Sequence, residues 1–487
     1  MIKSSSSLGG DAIKLTVSKV ITLGISMITA MLLSRFRTLE EYGTYSQILL
    51  VINLFTSIFM LGLPNSINYF LARAETQEDR KNFLSVYYTL STILSVIMGG
   101  ALVCALPVIE NYFDNPNIRG FLYFFAMYPW ASVVSSSIEN VLVVYKETRI
   151  LMIYRVANSV TLLGSVLIVQ WLGLGFSTYM VLYLAVYVVF ALAVYVIVSH
   201  LSGGLRCLWD KNLIYKIFVF SIPIGLASVV GTLNIEVDKL LIGWLMDTEQ
   251  LAIYTNASKE LPVTIVASSI TAVLLPKIVN MIKHNNKTGA IRLWGCATEL
   301  SYIIICLIVA GVFTYAEDVL ALLYSDKYMS GLSVFRVYTL VLLLRCTYFG
   351  MILNAYGMTK MIFFSSVISL ILNAVLNPIF YFIFGMVGPA VATFLSMLIV
   401  ILLQLKISAK YMDIKMRTIF PWGSLAKISI INMIFSICFW KLKVYFALDK
   451  YTNSIVESIV LGAVWAGIYF LVVRKKVMNL WQKLNGE

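Results

Sequence analysis

Apolar runs of about 20 residues recur along the whole chain, and they constrain its fold more than any other feature. A run of this length crosses the hydrocarbon core of a bilayer as an α-helix, which rises about 1.5 Å per residue. Of the 487 residues, 60% are hydrophobic and 13% are charged, and the polar connections are short. These features predict an all-α integral membrane protein and exclude a large extramembrane catalytic or nucleotide-binding domain.

Counting the apolar runs predicts 14 transmembrane helices. The predicted spans lie near residues 12–34, 44–63, 83–106, 120–143, 154–172, 178–199, 217–240, 255–275, 293–315, 334–356, 361–383, 387–405, 425–443 and 454–473. No small-residue cleavage site follows the first run, so we interpret it as an uncleaved span rather than a signal peptide.

A faint internal repeat divides these helices into two halves. Leu39–Tyr45, after the first span, has a counterpart in Thr248–Tyr254 about 210 residues later. Parallel repeats of this kind meet around a substrate site near the middle of the membrane. The predicted domains are an N-lobe of helices 1–6 in residues 1–200, a C-lobe of helices 7–12 in residues 201–408, and helices 13 and 14 with a basic cytoplasmic tail in residues 409–487.

Basic residues are distributed unevenly between alternate connections. The chain has 37 Lys and Arg against 24 Asp and Glu, which gives a net charge of +13. About 25 of the basic residues fall on the side of the N-terminus and about 10 on the opposite side, so the positive-inside rule places both termini in the cytoplasm. This bias explains the positive charge without a nucleic-acid partner. The six cysteines are scattered without a C-x-x-C pair, and we expect neither disulfides nor a zinc site.

Polar side chains recur at helical spacing inside several spans. The first span carries Lys19 and Ser26 on one face, the second carries Asn53, and the seventh carries Gly225 and Thr232. Polar residues facing lipid are costly, so such stripes line either a cavity or a helix contact. Lys19, Ser26, Asn53 and Thr232 are therefore candidate substrate-binding residues. Lys19 is also near enough to the end of its span to reach the interface by snorkelling.

Charged residues also lie within other spans, and two of them are candidates for function. Arg345 lies about twelve residues into the tenth span, too deep to snorkel easily, so we expect it to line the substrate cavity or to pair with an acid. Glu139 in the fourth span is a candidate for proton coupling. A structural pair with a nearby basic residue explains Glu139 equally well.

A further set of polar residues suits a small hard cation. Asn373 and Asn377 are four residues apart and share a face of the eleventh span. Thr393 in the twelfth span and Asp238 in the seventh can converge on that face. Oxygen ligands of this sort favour a hard metal ion, and the alternative is hydrogen bonding between helices.

Three motifs occur in an order that is typical of one family of membrane transporters. They are Gly10-Asp11-Ala12, the basic elbow Arg35–Tyr45, and Gly62–Tyr69 at the end of the second span. Together they resemble the bacterial polysaccharide flippases, the Wzx-like translocases of O-antigen, capsule and teichoic-type polymers in the multidrug/oligosaccharidyl-lipid/polysaccharide superfamily. The resemblance covers nearly the whole chain. It implies two six-helix lobes around a central cavity, and alternating access that carries a polyprenyl-diphosphate-linked oligosaccharide to the outer leaflet of the bacterial cell membrane.

The resemblance also implies roles for particular residues. Ser18-Lys19-Val20 resembles a Ser-Arg-Val segment of the lipid II flippases, whose arginine faces the cavity. Asn377 stands where that branch usually has an acid. The residues that resemble the sodium site of the branch are Asp238, Asn373, Asn377 and Thr393. Na⁺ is therefore the candidate coupling ion, and no other cofactor is expected.

Two other classes of function remain open at this point. A cation-coupled multidrug exporter of the same superfamily would need an acidic cavity, and Lys19 and Arg345 count against it. A polymerase or glycosyltransferase would need a sizeable outer loop with paired acids, His or Arg, and the longest outer loops hold no histidine. We therefore expect a non-enzymatic monomer whose partners are the lipid-linked glycan, the bilayer and polysaccharide assembly enzymes.

Overall fold

The computed structural model describes residues 8–446 and 453–485, and the side chains of residues 15–445 and 453–484. Regular structure in these residues is helical throughout, without strands, which confirms the all-α prediction. Contacts between residues divide the chain into two compact units, Met1–Ala252 and Ile253–Glu487. The lobe boundaries predicted at residues 200 and 408 remain predictions, as does the cytoplasmic placement of the termini.

In its described residues, the first unit contains eight α-helices and the start of a ninth. They are α1 (Leu8–Phe36), α2 (Leu39–Met60), α3 (Leu63–Ser66), α4 (Gln77–Phe113), α5 (Leu122–Val144), α6 (Thr148–Trp171), α7 (Phe176–Ser202), α8 (Lys211–Leu245) and α9 (Thr248–Ala257). The second unit contains the end of α9 and the helices that follow. They are α10 (Ile265–Lys283), α11 (Lys287–Thr314), α12 (Ala316–Tyr324), α13 (Leu332–Val341), α14 (Met351–Ala355), α15 (Thr359–Phe384), α16 (Gly388–Met412), α17 (Met416–Ile419), α18 (Trp422–Phe446) and α19 (Ser454–Asn485).

Thirteen stretches of the described residues are long and apolar enough to cross a membrane. One of them, residues 359–412, is 54 residues long and contains both α15 and α16. Each of these two helices can cross the bilayer alone, because each has at least 25 residues. Counted helix by helix, the structure therefore agrees with the 14 predicted spans.

Polar caps fix where the helices of the predicted repeat begin. Thr38 accepts a hydrogen bond from the backbone N–H of Glu41, and the Glu41 carboxylate accepts one from the N–H of Thr38. This capping box starts α2. At the counterpart segment, the Asp247 carboxylate accepts a hydrogen bond from the N–H of Gln250 at the start of α9. Both members of the repeat thus begin a helix behind a side-chain acceptor.

In the first unit, α8 packs against α2, α3 and α4. The closest approach is at the turn between α2 and α3, where Leu61 and Gly62 both have left-handed backbone conformations, with φ of 38° and 75°. A Cβ atom on Gly225 would lie 2.0 Å from the carbonyl carbon of Leu61. Ser221, one helical turn earlier, is buried. This part of the polar stripe on α8 is therefore a helix contact rather than a cavity wall.

In the second unit, two polar clusters tie α18 and α19 to the neighbouring helices. Asp318 in α12 pairs with Lys443 in α18 and accepts hydrogen bonds of 2.6 Å from Ser454 and Ser458 in α19. The other cluster joins Glu299 in α11 to Lys476 and Ser424, with a Glu299–Lys476 separation of 3.0 Å. Two sets of partly buried hydrogen bonds therefore connect the appended helices to the rest of the unit.

The Asp318 cluster predicts acid-sensitive stability. Burial raises the pKa of the Asp318 carboxyl, but the hydrogen bonds from Lys443, Ser454 and Ser458 outweigh burial and hold the pKa below its ordinary value. A carboxylate with a depressed pKa in the folded state stabilises the fold above about pH 4 and loses that contribution as the pH falls further. We expect Asp318→Asn to lower the stability at pH 7 by about 1–3 kcal/mol.

Unfolding followed by tryptophan fluorescence between pH 7 and pH 3 checks this prediction. Asp318→Asn should flatten the acid limb of the wild-type curve, because the variant has no proton to gain at this position. Asp326→Asn is the matched control, since Asp326 lies in the same connection and is exposed. Equal acid sensitivity in wild type and Asp318→Asn would contradict the assignment.

Candidate functional site

Two helix breaks lie next to each other in the second unit. After α9 ends at Ala257, residues 258–261 are not helical, and the chain resumes with a 3-10 turn at Pro262–Thr264. After α13, the chain continues as a 3-10 turn over Leu342–Arg345, and residues 346–350 are not helical. The two 3-10 turns are in contact. The predicted spans near residues 255–275 and 334–356 each contain one of these breaks, which hydropathy does not register because it averages over a window.

An ion pair connects these two breaks. Nη2 of Arg345 lies 2.7 Å from Oε1 of Glu260, and the two side chains are 41% and 32% exposed. Nε of Arg345 is buried and has no hydrogen-bond partner in the part of the chain that the structure describes. Non-helical backbone at membrane depth is tolerated where it is buried in protein or lines a cavity. The geometry matches the acid pair predicted for Arg345, and its place in the substrate cavity remains a prediction.

The other predicted substrate residues lie in the first unit. Lys19 and Ser26 are exposed on α1, which packs mainly against α6, and Asn53 is exposed on α2. Thr232 on α8 is half-buried. Within the described residues, Lys19 forms no ion pair, so its ammonium group is available to a ligand. The assignment of these four residues to a substrate site remains a prediction.

The candidate cation ligands are all placed by long helices. Oγ1 of Thr393 in α16 donates to Oδ1 of Asn373 in α15 over 3.4 Å, so this pair is brought together as predicted. Asn377, one turn further along α15, is 1% exposed, and neither its Oδ1 nor its Nδ2 has a hydrogen-bond partner among the described residues. Asp238 in α8 is 2% exposed and accepts a hydrogen bond from the backbone N–H of Lys239. Because unpaired buried amides are costly, Asn377 is the candidate ligand that most clearly indicates a bound partner at this site.

Glu139 in α5 pairs with Arg155 in α6. Arg155 is the more buried partner, with 15% of its side chain exposed against 55% for Glu139. This contact corresponds to the structural alternative predicted for Glu139.

The sequence analysis did not predict that Glu260 pairs with Arg345 or that Arg155 pairs with Glu139. Glu260 had a weak signal, because it shares a helical face with other polar residues of the predicted eighth span. Arg155 had none, since it lies at the start of a span, where a basic residue is expected from topology alone.

Comparison with solved structures identifies the class of protein to which this fold belongs. The structure of lipid II flippase MurJ in its inward closed conformation is similar with a TM-score of 0.74 and 16% sequence identity, covering 95% of this chain and 99% of that chain. An inward-facing multidrug resistance transporter of the MATE family has a TM-score of 0.61 and 14% identity, covering 83% and 98%. A transporter from Pyrococcus furiosus has a TM-score of 0.59 and 14% identity, covering 83% and 96%. The chain thus has the fold of the transporters of the multidrug/oligosaccharidyl-lipid/polysaccharide superfamily.

Comparison of the sequence with protein families places the chain in a narrower group. The model of the polysaccharide biosynthesis protein family matches residues 32–332, and the chain belongs to this family. A membrane protein of Methanocaldococcus jannaschii is 25% identical over 420 residues, which cover 82% of this chain and 97% of that protein. The predicted resemblance is confirmed in family, as the polysaccharide biosynthesis family, and in fold, as that of the superfamily.

Proposed function

We propose that this multi-pass membrane protein flips a polyprenyl-diphosphate-linked oligosaccharide from the inner to the outer leaflet of the bacterial cell membrane. The observation that carries the proposal is the half-exposed Arg345 between two helix breaks, in a chain of the polysaccharide biosynthesis family. Broken helices in transporters supply binding groups near the middle of the membrane. The similarity of the fold to a lipid II flippase supports a substrate that is linked to a lipid.

The substrate has three parts with different physical requirements. The diphosphate needs cationic donors, the sugars need a polar cavity, and the polyprenyl tail remains in the lipid. We assign Lys19 and Arg345 to the diphosphate, and Ser26, Asn53 and Thr232 to polar contacts. Transport by alternating access makes and breaks no covalent bond, so we propose no enzymatic activity. The partners are the bilayer, the lipid-linked glycan and the enzymes that assemble the polysaccharide, and we propose that the protein acts as a monomer.

Reconstitution into proteoliposomes tests the proposal. Vesicles are prepared with a fluorescent polyprenyl-diphosphate oligosaccharide, and the fraction of the sugar in the outer leaflet is measured with a membrane-impermeant glycosidase. We expect the protein to raise the rate of exchange between leaflets above that of empty vesicles. Unchanged exchange, together with efflux of a cationic dye, would instead support the second candidate, a cation-coupled multidrug exporter. The fold that the chain shares with the MATE transporter is the observation that favours this candidate.

We further propose that Na⁺ couples to transport through Asp238, Asn373, Asn377 and Thr393. A cation shifts the equilibrium between inward and outward states only by the difference in its affinity for the two states. If Na⁺ has no effect, Glu139 is the next candidate, as a proton carrier. Its pair with Arg155 supports a structural role and makes it the weaker of the two.

The unpaired Asn377 gives a direct prediction for this site. Asn377→Asp adds a carboxylate where the amide has no partner, so we expect it to strengthen Na⁺ binding by about tenfold, or about 1.4 kcal/mol. Thermal stability titrated with NaCl, with choline chloride at equal ionic strength as the reference, measures the effect. Asn432→Asp is the matched control, because Asn432 is an equally buried amide of the same unit in α18. A response to Na⁺ that is the same in both variants would exclude Asn377 from a cation site.

A further inference from the structure

We propose that Glu260 competes with the substrate diphosphate for Arg345, so that the carboxylate holds the guanidinium in the empty protein and the phosphate groups replace it on loading. This inference rests on the proposed function and gives it a residue that controls both capture and release. It assigns Glu260 as a positioning residue that acts through Arg345.

The first observation is where the pair lies. Glu260 is in the non-helical segment after α9, and Arg345 ends the 3-10 turn after α13. The ion pair therefore joins two segments that are free of the regular backbone hydrogen bonds of an α-helix. Such segments can change conformation without unwinding a helix, because the helix is already interrupted there.

The second observation is how weakly the pair is held. Oε1 of Glu260 contacts Nη2 of Arg345 alone, and no other side-chain hydrogen bond to either residue occurs within the described residues. Nε of Arg345 has no partner, so the guanidinium uses only part of its hydrogen-bonding capacity. An arginine prefers two parallel hydrogen bonds, which a phosphate group can supply.

Comparison with another ion pair of the same unit shows the difference. The side chains of Asp318 and Lys443 are 12% and 21% exposed, and Ser454 and Ser458 complete their hydrogen bonds. That pair has the features of a structural tie between helices. The Glu260–Arg345 pair has more exposed side chains and lacks such supporting hydroxyls. A half-exposed pair of this kind contributes little to stability, so an incoming dianion can displace the carboxylate.

Replacement of Glu260 by the diphosphate at Arg345, and its later return, each have a physical reason. An isolated arginine charge within a membrane span is costly, so Glu260 neutralises Arg345 while no substrate is present. A diphosphate carries more negative charge than one carboxylate, so it displaces the Glu260 carboxylate from the guanidinium when the substrate binds. After the transporter opens to the other leaflet, the tethered carboxylate is again available and assists release. Removing the competitor should therefore tighten binding and slow turnover.

The test uses the full-length protein in lipid nanodiscs and inorganic diphosphate as the probe, with binding measured by calorimetry. We expect Glu260→Gln to bind diphosphate about three- to fivefold more tightly than wild type, because a half-exposed ion pair is only a weak competitor. Glu260→Asp should lie between the two, since its shorter carboxylate reaches Arg345 less well. Arg345→Gln should lose the binding. In proteoliposomes, Glu260→Gln should flip the lipid-linked oligosaccharide more slowly at saturating substrate.

The matched control is Glu317→Gln, which removes the acid of the exposed Glu317–Arg336 pair in the same unit and should leave diphosphate affinity unchanged. A purely structural Glu260–Arg345 tie predicts the opposite order, because both Glu260 variants would loosen the site and weaken binding. Unchanged or weaker binding by Glu260→Gln and Glu260→Asp, with wild-type flipping intact, overturns the inference and leaves the proposed function standing. A wild-type protein that neither binds diphosphate nor flips the lipid overturns both.

Discussion

Lys19→Ala should reduce flipping of the lipid-linked oligosaccharide to near the background of empty vesicles. The side chain is exposed on α1 and, within the described residues, has no ion pair, so its charge is free to meet an anion. Removing the cationic partner of a desolvated phosphate costs about 2–5 kcal/mol, which corresponds to a loss of about 30-fold or more. Lys19→Arg should retain much of the activity, because the charge and the donors remain.

The measurement is the initial rate of leaflet exchange, normalised to the amount of folded protein in the vesicles. Lys216→Ala is the matched control, since Lys216 is another exposed lysine on a long helix of the first unit. We expect the control to flip at the wild-type rate. Normal flipping by Lys19→Ala at wild-type protein levels would show that Lys19 only anchors α1 at the membrane interface.

Gly225→Ala should strongly destabilise the first unit. The added Cβ would lie 2.0 Å from the carbonyl carbon and 2.2 Å from the carbonyl oxygen of Leu61. These are backbone atoms of a turn whose conformation is already left-handed, so they cannot move aside as a flexible side chain can. Overpacking a tight contact costs about 1–3 kcal/mol or more, and here the helix α8 itself must shift.

Gly231→Ala on the same helix should have the opposite effect and raise the stability of the first unit. Beyond its chain neighbours and the nearby backbone of its own helix, no described heavy atom lies within 4 Å of a Cβ placed on Gly231, so the substitution gains the higher helix propensity of alanine, about 0.5–1 kcal/mol. Thermal unfolding of both variants in the same detergent compares them directly. Equal stability of the two would mean that α8 does not pack against the turn between α2 and α3 as closely as the structure shows.

The stripe of small and polar residues on α8 illustrates the limit of reasoning from sequence. Its spacing predicts one helical face, and the structure confirms that Ser221 and Gly225 are both buried. The same spacing is compatible with a cavity wall and with a helix contact. The position of Leu61 and Gly62, more than 150 residues earlier in the chain, shows that this part of the stripe is a helix contact and not a cavity wall.

Hydropathy and charge, read along the chain, determined the class of the protein. Partition into a bilayer depends on each segment's own composition, so the spans and the capped helix starts follow from local sequence. The partners of charged residues do not follow from local sequence. Arg345 meets Glu260 across 85 residues, and Glu139 meets Arg155 on the next helix. These pairings, and the two helix breaks beside Arg345, were decided by tertiary structure, because they depend on distances between helices that local composition does not encode.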